Sequence, residues 1–239
     1  NIICRVRKGL YGLKESPLLW SRHLRQTLID NGYTQNGKES CIYSKGSGVN
    51  LTILIVFVDD ILVISKDNSE HENLVRILTA KYGKVTTKIG DKIEYLGMEI
   101  SRVPGGFEVT QTGSIEKLLD TYGTTGSKPT PGSNAFTEVD EGSETLQSQD
   151  FVVFRSIVMA LLYVAKRTRP DILFQVSWLT SRMQNTTRQD MSKLKHLLQY
   201  LNGTRRIGLR LVPRDNHSWL TAMIDSSHGL HQSGHGHFG

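Results

Sequence analysis

The sequence predicts an α+β protein, in which helices pack against antiparallel strands. Two short runs of β-branched and aliphatic residues between positions 51 and 65 are typical of paired buried strands with a chain reversal between them. Helix-start and helix-stop signals flank this hairpin, as in the segment from Ser16 to Gly32. After residue 150 the pattern becomes mostly helical.

The first predicted helix has the clearest local signals. The Ser16 hydroxyl is expected to cap free amides, and Pro17 at the first helical position loses no hydrogen bond. Trp20, Leu24 and Leu28 recur every four residues, so they share one face of the helix. This face is predicted to pack against the sheet.

The other elements follow from similar patterns. A capping box at Ser69 opens a helix that Gly83 closes. Residues 124–150 are rich in Thr, Gly, Ser and Pro and then acidic, which predicts a linker or mobile loop. The remaining predicted strands are 2–6, 41–45, 93–101, 107–111, 206–212 and 219–225, and the remaining predicted helices are 114–122, 151–166, 170–183 and 191–201.

The charge distribution favours an acidic partner. The formal net charge is +6, and residues 165–214 carry eleven Lys and Arg against two acids, whereas residues 134–150 carry five acids and no base. Such a basic block favours nucleic-acid contact, although a solvated helix face would look the same. Seven of these eleven basic residues are the main candidates for such contact: Arg167, Arg169, Arg182, Lys193, Lys195, Arg205 and Arg206.

Other compositional features narrow the class of protein. Cys4 and Cys41 are the only cysteines, which excludes a disulfide framework and indicates a reducing compartment. No apolar run is long enough to predict a membrane span, and no signal peptide is recognisable. The chain opens without Met and ends in a Gly/His-rich segment, so we expect a fragment of a longer protein.

The adjacent carboxylates Asp59 and Asp60 are the main candidate for chemistry. Burying an isolated carboxylate between two apolar strands is costly, and a divalent cation would offset that cost. Mg²⁺ takes one or two carboxylates plus substrate phosphates, which suits phosphoryl chemistry. The alternative is that the pair is only a polar hairpin turn.

Two weaker candidates have ordinary explanations as well. Gly9 and Gly12 with Lys14 would let the backbone approach a phosphate, but turn glycines are common. Five histidines between His217 and His237 suggest zinc, but the segment is Gly/Ser-rich and lacks cysteines, so a zinc site is not favoured.

The order of these motifs resembles the reverse transcriptase of copia-type LTR retrotransposon Pol polyproteins. Residues 10–20 (LYGLKESPLLW) are similar to a family signature, and residues 57–60 (FVDD) resemble its Tyr-Val-Asp-Asp box, with Phe57 replacing Tyr. Residues 95–100 (YLGMEI) resemble a further conserved strand. Segments 155–163, 168–172 and 198–204 also match the family, so the resemblance covers nearly the whole chain.

The resemblance implies a set of domains. Residues 1–111 would be a partial polymerase palm, residues 112–150 the start of a short thumb and the acidic linker, and residues 151–215 a mostly helical connection. Residues 216–239 would hold the first strand of a truncated ribonuclease H-like domain.

The resemblance also implies a function. The intact parent would be an RNA-directed DNA polymerase that uses Mg²⁺, with Mn²⁺ as an alternative, to transfer nucleotides. Its partners would be an RNA template, a DNA primer and dNTPs, without a membrane. It would act inside the cell, in a cytoplasmic virus-like particle and also in the nucleus. The alternative is a degenerate or domesticated fragment that binds nucleic acid without catalysis. A metal-dependent nuclease is less favoured.

Site residues follow from the same resemblance. Asp59 and Asp60 match the metal-binding carboxylates, and a further family aspartate would precede residue 1, so the chain alone is expected to be inactive. Candidate proton donors are Lys84, Lys88 and Lys92. The other implied site residues are Tyr11, Gly12 and Lys14 for the nucleotide, Leu96 and Gly97 for the primer grip, and Asp225 for metal in the ribonuclease H-like domain.

Overall fold

A computed structural model describes Gly9, residues 12–213, and the short strands Ser226–Ser227 and His237–Phe238. The chain divides into two compact units, Asn1–Ile89 and Gly90–Gly239. Both units contain helices and antiparallel sheets, which confirms the predicted α+β class.

Within the described residues, the first unit combines a four-stranded antiparallel sheet with two α-helices. Leu24 and Leu28 of the first helix are buried against Leu54 of the sheet and Leu74 of the second helix, as the four-residue spacing predicted. The elements are α1 (Ser16–Asp30), β1 (Thr34–Gln35), β2 (Ile42–Lys45), β3 (Thr52–Phe57), β4 (Asp60–Ile64) and α2 (Asn68–Tyr82), with sheet order β1-β2-β3-β4.

Both predicted helix caps in this unit are wrong in detail. The α2 cap is Asp67, whose carboxylate accepts hydrogen bonds from the Ser69 amide at 3.0 Å and the Ser69 hydroxyl at 2.6 Å. A carboxylate at this position satisfies the free amides directly, so no capping box starts at Ser69. In α1 the cap position is Glu15, without a side-chain cap bond, and Ser16 is already helical.

In its described part, the second unit combines a second four-stranded antiparallel sheet with four α-helices. These helices share one apolar core, in which Phe154, Leu161, Trp178 and Leu197 are buried. The elements are β5 (Lys92–Tyr95), β6 (Met98–Val103), β7 (Gly106–Thr110), α3 (Thr112–Thr121), α4 (Ser148–Ala165), α5 (Leu173–Ser181), α6 (Arg188–Gly203) and β8 (Leu209–Leu211), with sheet order β5-β6-β7-β8.

Residues 124–150 are not the mobile loop that their composition predicted. Phe136 is only 4% exposed and belongs to the core of the second unit. The Leu146 amide donates to the Thr186 carbonyl at 2.9 Å, and Glu144 pairs with Arg188 at 2.8 Å. One buried aromatic and a few long-range hydrogen bonds are enough to fix a Pro/Gly-rich segment on the core.

The helix α4 departs from the prediction that no segment could cross a membrane. Among the described residues, α4 is the one helix whose length and composition would allow it to cross a membrane. The core helix of a soluble protein passes the same test. One side of α4 does pack into the core, through Phe154, Ile157, Val158 and Leu161.

Arg169 does not belong to a solvated basic face, because its side chain is fully buried. Its guanidinium donates to both Asp171 oxygens at 2.9 and 2.8 Å and to the Thr204 carbonyl and hydroxyl at 2.9 and 2.8 Å. The Tyr200 hydroxyl donates to the same carboxylate at 2.8 Å. This satisfied network joins the segments 168–172 and 198–204, so Arg169 is structural and unavailable to an external phosphate.

Candidate functional site

The Asp-Asp pair lies at the tip of the β3–β4 hairpin. Phe57 pairs with Asp60, which leaves Val58 and Asp59 as a two-residue turn. Val58 has a φ of 55°, in the left-handed region that a β-branched residue rarely adopts. Tight hairpins need such angles to match strand twist, and Gly or Asn usually supplies them. Val58 therefore stores about 1–3 kcal/mol of strain.

Register places Asp60 on the sheet face that points away from the core of the first unit. Directly opposed residues share a face, so Asp60 lies with Phe57, which is 53% exposed. Leu54 and its neighbours on the other face are buried. Asp59 and Asp60 are both exposed, so the predicted burial of this pair between apolar strands is wrong. Exposure instead leaves their oxygens accessible to a ligand.

Trp20 of α1 holds the strained turn. Its indole Nε1 donates to the Val58 carbonyl at 2.7 Å. The Trp20 ring packs edge-on against Tyr82 at the end of α2, with ring centroids 5.0 Å apart. The Tyr82 hydroxyl in turn is hydrogen-bonded to Thr27 of α1 at 2.7 Å. The motif at residues 10–20 and the FVDD motif thus meet through one hydrogen bond.

The second unit contains a similar turn between β5 and β6. Tyr95 pairs with Met98, and Leu96 and Gly97 form the turn with φ values of 50° and 70°. Val58 and Leu96 are the two non-glycine residues with positive φ in the part of the chain that the structure describes. Strain of this kind concentrates at functional sites, so both turns are candidates on physical grounds.

For the other predicted site residues, the structure gives little more than their exposure. Gly12, with a φ of 92°, and Lys14 are exposed in the loop before α1. Lys84 and Lys88 are exposed after α2, and Lys92 pairs with Glu99 at 2.8 Å. Tyr11, Asp225 and the histidine cluster, apart from the backbone of His237, lie outside the described residues.

The fit of a divalent metal depends on the two carboxylates. Within residues 12–213, no three His, Cys, Asp or Glu side chains converge into a metal-binding group. Asp59 and Asp60 nevertheless offer hard oxygen donors, and two carboxylates completed by substrate phosphates are a usual arrangement for Mg²⁺. The donor set at this hairpin therefore fits Mg²⁺, with Mn²⁺ as an alternative.

Sequence reasoning missed the two aromatic contacts to these turns. The sequence places Trp20 on the apolar face of the first helix and in the signature of residues 10–20, and Tyr163 in the family segment 155–163, but it predicts neither contact. The Tyr163 hydroxyl donates to the Leu96 carbonyl at 2.5 Å. One signal in the sequence could have indicated these contacts. Trp20 and Tyr163 both lie in family motifs, and each side chain has a hydrogen-bond donor on a large aromatic ring.

Comparison with known proteins identifies the family of the chain. The reverse transcriptase (RNA-dependent DNA polymerase) family matches residues 1–132, more than half of the chain. The chain belongs to this family. The match includes the FVDD hairpin and the Leu96–Gly97 turn and ends before α4.

Three of the similar proteins are retrovirus-related Pol polyproteins from transposons. The chain is 31% identical over 212 residues to the retrovirus-related Pol polyprotein from transposon RE1 of Arabidopsis thaliana and 30% identical over 212 residues to that from RE2 of the same plant. It is 28% identical over 217 residues to that from transposon TNT 1-94 of Nicotiana tabacum.

These alignments cover most of the chain but little of each relative. They include 88%, 88% and 85% of the chain for RE1, RE2 and TNT 1-94. The chain spans only 14%, 14% and 16% of the lengths of these polyproteins. No solved structure matches the chain.

Proposed function

We propose that this reverse transcriptase segment serves RNA-directed DNA synthesis, with Asp59 and Asp60 as the carboxylates that hold the catalytic metal. The observation that carries the proposal is the β3–β4 hairpin, whose strained turn presents both carboxylates to solvent. An ordinary polar turn would not need a valine in the left-handed region, since Gly or Asn would adopt it without strain.

Each group in this proposal has a distinct task. A bound divalent metal would supply Lewis-acid stabilisation of the charge that develops during nucleotidyl transfer. Asp59 and Asp60 hold it, and Trp20 fixes the turn that carries them. Tyr11, Gly12 and Lys14 serve the incoming nucleotide, and the Leu96–Gly97 turn contacts the primer.

The domain assignment is part of the same proposal. Residues 1–111 are assigned to the palm, residues 112–150 to the start of the thumb and residues 151–215 to the connection. Residues 216–239 begin a ribonuclease H-like domain, with Asp225 as its first metal ligand. The motif resemblance supports these assignments.

Primer extension tests the proposed function. The chain is extended upstream in its source gene to include the further carboxylate that the family resemblance implies, and it is given a primed RNA template, dNTPs and Mg²⁺. We expect DNA synthesis that a chelator abolishes and added Mg²⁺ or Mn²⁺ restores. Template–primer binding without any nucleotide addition under either metal would contradict the proposal.

That contrary outcome would favour the second candidate function, a non-catalytic nucleic-acid-binding protein. The observation in its favour is the excess of eleven Lys and Arg over two acids in residues 165–214, which suits contact with nucleic acid without requiring catalysis. The two functions differ in nucleotide addition and share template–primer binding.

Replacing Trp20 by phenylalanine tests how the hairpin is held. Trp20→Phe keeps an aromatic ring and removes the bond to the Val58 carbonyl, worth about 0.5–1.5 kcal/mol. We expect the rate of nucleotide addition by the upstream-extended chain to fall about fivefold, with unchanged template–primer affinity. The control is Tyr82→Phe, which removes a hydroxyl from the same cluster but not the bond to the turn. Equal losses in both variants would show that Trp20 acts only through packing.

A further inference from the structure

The Leu96–Gly97 turn is held by a residue far along the chain. Tyr163, on α4, donates its hydroxyl to the Leu96 carbonyl at 2.5 Å across 67 positions of sequence. The Ser114 hydroxyl donates to the neighbouring Gly97 carbonyl at 3.4 Å. Because Leu96 has a φ of 50°, its conformation persists only if the surroundings hold it. Tyr163 supplies such a constraint.

Tyr163 also carries a stacked cation. The Arg167 guanidinium carbon lies 3.7 Å from the centre of the Tyr163 ring, one helical turn further along the chain. Among the described residues no carboxylate pairs with Arg167, whose guanidinium donates only to the Tyr163 carbonyl at 3.4 Å. Stacking on an aromatic ring orients the planar guanidinium, and its remaining N–H groups suit a phosphate.

We propose that Tyr163 is a positioning residue for the Leu96–Gly97 turn and that Arg167 adds a contact to a nucleic-acid phosphodiester beside it. The proposal rests on the proposed function, because it takes this turn to face the primer backbone. Gly97, with a φ of 70°, adopts the left-handed conformation that this turn needs, and a Cβ at this position would lie 3.6 Å from the Tyr163 hydroxyl oxygen and 3.8 Å from the Ser114 hydroxyl oxygen. The functional surface would then extend past residue 132, where the family match ends, onto a helix that begins at Ser148.

Hydrogen exchange of the 239-residue chain tests the positioning role without nucleic acid. Tyr163→Phe removes the hydroxyl and keeps the ring under Arg167. We expect amide exchange in residues 92–103 to accelerate about fivefold to tenfold, because one hydrogen bond is lost. Exchange in the core of α4 and α6 should not change. Unchanged exchange at the turn, or equal acceleration throughout the second unit, would overturn the positioning role.

Binding of the same chain to a labelled RNA template annealed to a DNA primer tests the phosphate contact. For Arg167→Gln we expect about fivefold weaker binding and a salt-dependence slope reduced by about one. The matched control is Lys166→Gln, which removes the same charge from the adjacent exposed residue. It should leave both quantities close to those of the unaltered chain.

The outcomes separate this inference from the proposed function. Binding by the unaltered chain with equal effects of Arg167→Gln and Lys166→Gln would overturn the Arg167 contact alone. Failure of the unaltered chain to bind at low salt would overturn the phosphate contact together with the nucleic-acid function. The exchange measurement decides the role of Tyr163 in either case.

Discussion

Asparagine at positions 59 and 60 is expected to abolish primer extension by the upstream-extended chain. Asn keeps the size of each side chain and removes the negative charge that would hold a divalent cation. Because charge stabilisation by a bound metal is worth several kcal/mol, the rate of nucleotide addition should fall at least about 10³-fold. Single-turnover extension with saturating template–primer measures this rate directly.

The control for the Asp59→Asn/Asp60→Asn variant is a second pair of adjacent acids. Asp140 and Glu141 are exposed in a loop of the second unit, so Asp140→Asn/Glu141→Gln makes the same change in net charge. This control should extend primers at the original rate. Both variants should keep their template–primer affinity and folding, since Asp59 and Asp60 are exposed. Substantial primer extension by the Asp59→Asn/Asp60→Asn variant would show that these two carboxylates do not hold the catalytic metal.

Loss of Arg169 is expected to have the largest effect on stability. Arg169→Met leaves the Asp171 carboxylate without its bidentate partner and removes two further bonds to Thr204. Arg169 is fully buried but the Asp171 side chain is 34% exposed, so the lost charge-assisted hydrogen bonds set the cost, at about 1.5–3 kcal/mol. Chemical denaturation, followed by a probe in the second unit, measures the change in unfolding free energy.

An exposed pair provides the comparison. Arg188 and Glu144 lie 2.8 Å apart, with side chains 67% and 75% exposed. Arg188→Met should therefore cost less than about 1 kcal/mol. Similar losses in Arg169→Met and Arg188→Met would contradict the importance of burial at Arg169.

The same network should make stability depend on pH. Burial raises the pKa of Asp171, but hydrogen bonds from Arg169 and Tyr200 and the charge of Arg169 outweigh it and hold the pKa below its usual value. These interactions stabilise the folded state fully above the unfolded-state pKa of Asp171, which is about 3.9. The stabilisation is lost as the pH falls through the lower pKa of Asp171 in the folded state. Stability of Arg169→Met should depend less steeply on pH in that acidic range.

Much of the fold follows from local patterns. Trp20, Leu24 and Leu28 predicted both the helix and its buried side, because amphipathic spacing reports the direction of the core. The Asp67 cap was missed because several polar residues near position 69 could satisfy the same amides. The order in residues 124–150 was missed because it depends on Phe136 reaching a core assembled from distant helices.

The sequence predicted which segments form the candidate site, but it did not predict the exposure of their residues or the contacts between them. Residues 57–60 marked the hairpin, but their exposure depends on the strand register, which pairs Phe57 with Asp60. The roles of Trp20 and Tyr163 depend on hydrogen bonds across 38 and 67 positions. Local sequence patterns carry no information on such distant pairs. Arg169 illustrates the converse, since a charge that looks solvated in sequence is buried by its partners.

Strand β8 has a consequence for synthesis of the protein on the ribosome. It pairs with β7 through Val109 and Leu209, so the last strand of this sheet is made long after its neighbour. At translation rates of about 5–20 residues per second, β7 would wait roughly 5–20 s with an unpaired edge. An unpaired edge is a template for association with other chains. Newly made copies that stop before residue 211 are therefore expected to aggregate more readily than those that include β8.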